Sequence, residues 1–381
     1  MKEMIICSLE EEKELISKLR EQHGPEAQRI CRMYDMPDLS RTVGNPVNLI
    51  VEKIINLDFY KDFDIIQTPE IVWLYETFDL FDFAPNHPAR SKSDTYFVSD
   101  DKILRTHTTV LRYYYLTRPE IQKKLKKEWI VKALSRGKTY RRDEIDSKHY
   151  PVFHQIDGLY LVEKTKEKIG KEELAEVLKN LIISIYGEAI EYRISDDTFP
   201  YTDPSLQAEV KYNGEWFELL WSWVVKWSVL KSLWIDPEKY NWRAFGPGIE
   251  RLVMPKMNIP DIRILWSQDE RITSQRWNLD HEFQSVSKYP STYRDISFII
   301  DKSVSLNEYF DLVRDLWGEI VEHVQLLDTY ENDEKFGIWK ISYTFRIVYR
   351  SYERTLLNDE INEVQEKIRI TTSKVLGAVL R

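Results

Sequence analysis

Two short segments hold the residue types that phosphate chemistry needs. In KTYRRDEIDSKHYPVFHQIDG, residues 138–158, a pair of arginines runs into a pair of acids, with His149 downstream. Read as a strand, it puts Arg141, Asp143 and Ile145 on one face and Arg142 and Glu144 on the other, so a cation and an acid are aimed together. Such a pair suits a phosphate and the groups around it, and the same pattern also describes a salt-bridged surface hairpin. Further along, AFGPGIERL, residues 244–252, has glycines where a backbone can approach a ligand, then Arg251 entering an apolar helix. Neither a P-loop nor a GxGxxG occurs, so a nucleotide would be held by another route. Between these segments, ELLWSWVVKW, residues 218–227, sets three tryptophans in ten positions of a strand-like run. Residues two apart on a strand point the same way, so Trp221 and Trp223 share a face.

Positioning these residues takes a sheet and its supporting helices. RTVGNPVNLIVEKI offers Asn45 as a helix cap with Pro46 in the first turn, followed by Val47, Ile50, Val51 and Ile54 at helical spacing. From about residue 64, β-rich runs alternate with loops: DIIQTPEIV, KTYRRDEI, GLYLVEK, LQAEVKY and EWFELLWSWVV. One long helix interrupts them, over 171–187, with Leu174, Val177, Leu178, Leu181, Ile182 and Ile185 on one stripe and a glycine at its end. Strands without regular βαβ alternation predict an α+β fold, an antiparallel sheet flanked by helices. After a polar stretch at 276–288, RDISFIID reads as a strand and SLNEYFDLVRDLW as a helix capped by Ser305. VEHVQLLDTYE and KISYTFRIVYR read as further strands, and a helix starting at Asn358 carries Ile361, Val364, Ile368, Val375 and Leu376. This βαββαβ order is ferredoxin-like. The expected organisation is a helical extension over 1–40, a main domain over 41–275, a linker over 276–288 and the ferredoxin-like domain over 289–381.

The composition limits the function classes. A net charge of −9, with 31% charged and 43% hydrophobic residues, describes a globular chain, and no apolar run approaches the roughly 20 residues that span a bilayer. The acidic, helical start lacks the basic and apolar pattern of a targeting segment, so a reducing cytoplasmic setting is expected, with Cys7 and Cys31 as free thiols. An acidic total still permits local phosphate contacts by Lys and Arg.

Taken together, YRRDEID with its following histidine and FGPGIER resemble the second and third signature motifs of class II aminoacyl-tRNA synthetases. FDFAPNHPAR, DTYF, LRTHT, YPVFHQIDG, FPYTDPS and IPDIRILW, in that order, resemble the phenylalanyl-tRNA synthetase catalytic chain. YPSTYRDISFIID, VQLLDTYE and ISYTFRIVYRSYERTL are similar to the ferredoxin-fold anticodon-binding domain of its single-chain, mitochondrial-type form. The resemblance spans about residues 44–381. It implies ATP-dependent activation of phenylalanine as an adenylate and transfer to tRNA, with Mg²⁺ and no protein nucleophile, by a monomer in the cytoplasm, or in the mitochondrial matrix if a presequence has been removed. By motif, Arg141 would meet the α-phosphate, Asp143 the adenine side, His149 and Arg251 the β and γ phosphates, and Glu218 the metal; Arg141 and Arg251 carry the catalytic roles. The amino acid would lie among His107, Thr109, Gln155, Asp157, Phe199, Tyr201 and Ala244. Lys340, Arg346, Arg350 and Arg354, interleaved with Tyr343, Tyr349 and Tyr352, would face tRNA.

The departures concentrate around the amino-acid site. Trp221, Ser222 and Trp223 stand where the family has Gly-Cys-Gly, so Trp221 and Trp223 join the pocket residues. Val110, Leu111 and Arg112 follow Thr109 where the family ends in glutamine; Asp157 replaces a glutamate, Tyr201 a phenylalanine, and Pro247 interrupts the glycine motif. Two indoles in place of hydrogens overfill a close-packed pocket. Three explanations compete: the strand shifts so that the tryptophans face a core, the pocket is rebuilt for another amino acid, or the chain is a noncatalytic tRNA-binding paralogue.

Overall fold

In the computed structural model, which describes the chain except residues 1–3, 6–8, 199–201, 276–277, 285–288, 318–319 and 352–353, Asn45 accepts a hydrogen bond from the Val47 amide at 3.0 Å and caps the Pro46–Ile55 helix. The Lys171–Tyr186 helix ends at Gly187, whose φ of 90° favours a residue without Cβ. Both helices start and stop where their local signals put them. The chain divides into two compact units: Met1–Tyr140 with Val152–Ile259 and Arg276–Glu282, and Arg141–Pro151 with Pro260–Gln275 and Phe283–Arg381.

The strands described in the first unit are β1 (Met4–Ile5), β2 (Asp64–Gln67), β3 (Ile71–Trp73), β4 (Lys102–Leu104), β5 (Ile130–Tyr140), β6 (Val152–Glu163), β7 (Glu191–Asp197), β8 (Thr202–Tyr212), β9 (Glu215–Val225) and β10 (Tyr240–Phe245). β3 and β4 form a small ribbon of their own; the others make one sheet in the order β1-β2-β5-β6-β10-β9-β8-β7. Only β1–β2 and β2–β5 pair in parallel. One sheet face carries Val131, Ala133, Leu159, Leu161, Trp223, Trp242 and Ala244. Leu111, Leu116, Ile121, Leu125, Val229 and Leu230 pack onto it from helices Leu111–Leu116, Pro119–Glu128 and Trp227–Ser232. Burying a Leu or Val side chain contributes roughly 1.5–3 kcal/mol, so this layer stabilises the face on which the pocket motifs stand. The other face is covered by the Pro46–Ile55, Lys171–Tyr186 and Ile249–Met257 helices.

The second unit contains β11 (Thr292–Asp301), helix Leu306–Trp317, β12 (Val321–Tyr330), β13 (Lys340–Tyr349), helix Asn358–Leu376 and β14 (Val379–Leu380), the predicted βαββαβ order. The sheet order β12-β13-β11-β14 is antiparallel throughout. Phe298, Tyr309 and Phe345 stack at its centre, with centroids 4.9–5.9 Å apart. Val375, placed on the apolar stripe by its spacing, is instead 62% exposed. Its neighbour Leu376 still packs against the core, so only part of the stripe reaches it in the last turn.

The strand expected through KTYRRDEI stops at Tyr140, and residues 141–151 are irregular. Partners remote in sequence overrule alternation there. Ile145 is buried in the ferredoxin-domain core, and its carbonyl accepts from the Val324 amide at 2.9 Å. Arg142 is paired with the fully buried Asp311, and Arg314 donates to the Glu144 carbonyl at 2.6 Å. The helix over Pro119–Glu128 was not anticipated, because only Ile121 and Leu125 of its ten residues are buried and its lysines mask the period.

Gly158 shows how closely the central strands are fitted. It lies opposite Phe245 in the β6–β10 ladder, and a Cβ there would fall 2.0–2.8 Å from the phenyl ring. Gly158→Ala is therefore expected to destabilise the protein by about 1–3 kcal/mol. Urea unfolding would read this as a lower midpoint, and an unchanged midpoint would show that the ring can step aside.

Candidate active site

Strand β6 and the Ile249–Met257 helix are joined by a buried polar clamp. Glu250, only 3% exposed, accepts from the His154 amide at 2.9 Å and meets the His154 Nδ1 at 2.6 Å. The other imidazole nitrogen, Nε2, accepts from the Leu39 amide at 3.0 Å, which makes Nδ1 the donor to Glu250 when the ring is neutral. A bridge between Gln155 and Gly248 continues the contact. The next residue along, Arg251, is thereby held at the mouth of the helix. Its guanidinium pairs with Glu218 of β9 at 3.2 Å and lies 5.3 Å from the centre of the Trp221 ring. Both members of this pair are about half exposed, leaving them accessible to a charged ligand.

The neighbouring group is enclosed. Asp157 of β6 is 2% exposed; its Oδ2 accepts from the Thr109 hydroxyl at 2.7 Å and its Oδ1 lies 3.3 Å from the Arg112 guanidinium. Thr109 belongs to a short 3-10 turn over Thr108–Val110, tied to β6 where the Thr108 amide donates to Gln155 Oε1 at 3.2 Å. Arg112 follows on the Leu111–Leu116 helix and is completely buried, with Trp242, Trp223 and Phe81 rings 4.8, 5.4 and 5.6 Å away. His107 meets Phe81 edge-on at 5.9 Å. Burial pushes the Asp157 carboxyl up; Arg112 and Thr109 pull against it, and the net direction is upward.

The tryptophans lie in register. Trp223 pairs with Ala244 across β9–β10; against β8 the ladder is irregular on both sides of the tryptophans, between Thr202/Ser205, where Ser205 faces Trp223, and between Ala208/Glu209. Trp223 is 4% exposed, and a Cβ added to Gly246 would meet its ring at 3.0 Å and the Asp157 Oδ2 at 3.1 Å. The missing side chain at 246 is what lets the indole and the carboxylate approach each other. Of the expected pocket residues, the structure thus gathers His107, Thr109, Gln155, Asp157, Trp221, Trp223 and Ala244 into one contiguous region of the sheet face. Phe199 and Tyr201 lie outside the described residues. Arg112, Glu250 and His154 carry much of the geometry without having been singled out for it; an arginine at 112 in a run of apolar and aromatic residues was the available signal.

The phosphate candidates of the first motif, Arg141, Asp143 and His149, belong to the second unit. The Arg141 amide donates to the Pro151 carbonyl at 3.1 Å, closing the irregular segment. His149 pairs with Asp146 at 2.8 Å; burial would raise the Asp146 carboxyl, but His149 and the amides of Lys148 and His149 hold it down at about 2. On the ferredoxin sheet, Arg346 pairs with Asp295 at 2.8 Å over the Tyr293 ring, Arg350 with Glu322 at 3.2 Å and Arg354 with Glu360 at 2.8 Å, while Lys340 is exposed opposite Asp301. The expected interleaving with tyrosines is not what the strand provides. Tyr349 is fully buried on Gln365 and Tyr343 packs against the core, because odd-numbered residues of β13 face the helices and Arg346 faces away. Tyr352 lies outside the described residues.

No group of three His, Cys, Asp or Glu side chains able to hold a metal ion exists among the described residues. Glu218 is a single accessible carboxylate, and Glu209 across the ladder is bound by Arg193 at 2.7 Å. That donor set suits magnesium arriving with phosphate oxygens rather than a resident ion. Among the described residues no helix is long and apolar enough to cross a membrane.

Comparison with known proteins agrees with this geometry. Residues 34–276 match the model of the class II core domain (F) of tRNA synthetases, and residues 287–381 match the ferredoxin-fold anticodon binding domain. The chain is 37% identical to the phenylalanine–tRNA ligase, chloroplastic/mitochondrial, of Arabidopsis thaliana, over 82% of this chain and 71% of that one. It is 33% identical to the mitochondrial phenylalanine–tRNA ligase of Mus musculus, over 82% and 74%. With the mitochondrial enzyme of Saccharomyces cerevisiae it shares 29% identity over 90% and 88%.

The clamp also carries a pH dependence. Burial alone would raise the Asp38 carboxyl, but Arg41, then His154 and Ser40, outweigh it and hold it at about 2. A carboxyl held below its ordinary 3.8 stabilises the fold above that value and loses its contribution as pH falls through the depressed one. Asp38→Asn is expected to cost about 2 kcal/mol at neutral pH, at about 1.4 kcal/mol per unit, and to approach wild type as pH drops from about 4 toward 2. Denaturant unfolding at pH 7 and in that acid range would show the gap closing; a gap independent of pH would remove Asp38 from this role.

Proposed function

We propose that this chain, which belongs to the phenylalanine–tRNA ligase family of class II tRNA synthetases, activates phenylalanine with ATP and transfers the acyl group to tRNA. The observation that carries the reading is the join between β6 and the Ile249–Met257 helix, which presents Arg251 beside Glu218 on an accessible edge and Asp157 nearby on the same strand as the clamp. Attack of a carboxylate on an α-phosphate is in-line chemistry in which positioning and charge neutralisation supply most of the catalysis. Arg251 would take the β and γ phosphates with His149, Arg141 the α-phosphate and Asp143 the adenine side. Arginine suits this work because its planar fork matches phosphate oxygens and stays charged.

Magnesium, when bound, supplies further neutralisation of the triphosphate, with Glu218 as its protein ligand. Asp157 would receive the α-ammonium of the amino acid, with Thr109 and Gln155 fixing its surroundings. His107, Trp221, Trp223 and Ala244, with Phe199 and Tyr201, would bound its side chain. In the ferredoxin-fold domain, Lys340, Arg346, Arg350 and Arg354 would meet tRNA phosphates, and a single chain containing both domains would act as a monomer. The relatives bear mitochondrial and chloroplast names, which adds an organelle matrix to the cytoplasm as a proposed compartment.

Amino-acid-dependent exchange of pyrophosphate into ATP, run across all twenty amino acids, tests the reading: exchange is expected with phenylalanine, and silence across the panel would overturn it. Arg251→Ala is expected to lower the phenylalanine-dependent rate by about 10²-fold or more. Near-normal exchange in that variant would remove the phosphate assignment.

A further inference from the structure

At one end of the large sheet three tryptophans stand in solvent. β5 begins where β6 ends, with Ile130 opposite Val162; β10 begins there too, with Tyr240 opposite Glu163, and β9 ends beside it. The Glu163 amide donates to the Trp129 carbonyl and the Lys164 amide to the Lys239 carbonyl, each at 2.9 Å. Trp129, Trp227 and Trp234 thus belong to the helix ends and turns of a single rim, and they are 43, 62 and 73% exposed. Two of them sit where the backbone favours glycine. Trp129 closes the Pro119–Glu128 helix at φ 56°, and Trp234 follows the Trp227–Ser232 helix at φ 58°. A bulky side chain is strained in that conformation, and neither indole is buried deeply enough to offset the strain by packing. Strain of this kind persists where the side chain is used.

The rim is also basic, in an acidic chain. Segments 121–132, 163–168 and 226–239 carry eleven lysines against five acids, whereas the whole chain has a net charge of −9. Lys231 lies over the Trp227 ring at 4.4 Å and Lys166 over the Trp129 ring at 5.3 Å. Lys126 and Lys127 are exposed in the last turn before Trp129. We propose that this rim is a second RNA surface, carried by the class II core domain, and that it holds unpaired nucleotides of the tRNA. Bases stack on exposed indoles while ammonium groups beside the rings take the phosphates, an alternation that suits a nucleotide strand. A protein partner would call for a continuous apolar patch at its centre, which these lysines interrupt. The identity of the RNA rests on the ligase reading, and the chemistry of the rim on the indoles and lysines alone. Glu163 stands six residues along β6 from Asp157, roughly 20 Å of strand, so the rim is separate from the amino-acid site.

The test is filter binding of a labelled, phenylalanine-specific tRNA transcript to the full-length protein, beside phenylalanine-dependent pyrophosphate exchange, which needs no tRNA. Trp234→Gly removes a ring and supplies the residue its backbone prefers, so the fold is expected to be kept. Combined with Trp227→Ala, it is expected to raise the Kd for tRNA on the order of tenfold or more while exchange stays at the wild-type rate. Lys231→Gln is expected to weaken binding and to lower the slope of log affinity against log salt by about one. Wild-type affinity in a folded double variant would overturn the proposal. The same affinity with a smaller sedimenting species than wild type would assign the rings to a contact between copies, and would overturn it equally. If the double variant does not fold, Trp234→Gly alone and Lys231→Gln decide. Silence of the wild type in exchange with every amino acid, with tRNA affinity still weakened by the double variant, would reject the ligase reading and leave the RNA surface standing.

Discussion

The contact on which this architecture turns is a carboxylate buried at the first turn of a helix. Glu250 is withdrawn from water and takes both the main-chain and the ring donor of His154. Such a group is costly to bury unless its oxygens are satisfied, and once they are satisfied any displacement of helix from strand exposes the full penalty. The helix start and β6 are consequently fixed to each other. Everything chemical nearby follows from that: Arg251 is the next residue on the helix, Gln155 the next on the strand, and Asp157 lies two residues further along. The second imidazole nitrogen draws in the Leu39 amide, so a loop more than a hundred residues upstream is tied to the same point.

Much of this was legible in the text of the chain, and the legible parts share a property. Asn45 with Pro46, Gly187, the stripe from Leu174 to Ile185 and the βαββαβ order are local signals, decided within a few residues by caps, periods and turns. The end of β5 was not, because what turns the chain out of the sheet after Tyr140 is Asp311 waiting for Arg142 across 169 positions. Arg112 was visible as a departure from the family, but nothing in its neighbourhood announced a partner 45 residues away. The facing of Trp221 and Trp223 followed from alternation, whereas the depth of Trp223 depended on the bare backbone at Gly246. The misplaced tyrosines are a different matter. Arg346 is separated from Tyr343 and Tyr349 by odd intervals, so counting along β13 already separates them.

The sheet face around Asp157 shows how aromatic bulk and charge can be compatible. Three indoles or phenyl rings around a guanidinium replace part of the hydration it has given up, and the carboxylate completes the exchange. A lysine at 112 would bring the charge without the flat surface that stacks. Trp223 therefore belongs to the packing of the core and to the surroundings of the Asp157–Arg112 pair at once, and its replacement would be felt in both.

On the ferredoxin sheet, Arg346, Arg350 and Arg354 each already have an acid of the same domain as neighbour. A nucleic-acid backbone meeting these side chains would have to compete with those acids, and each displaced carboxylate would stay close enough to repel it. Each arginine would then neutralise less phosphate charge and release fewer of the cations condensed on the RNA, so affinity would fall less steeply as ionic strength rises. The Tyr293 ring, exposed beneath Arg346, would then be the flat surface left for an unstacked base, a contact that salt affects far less than charge pairing.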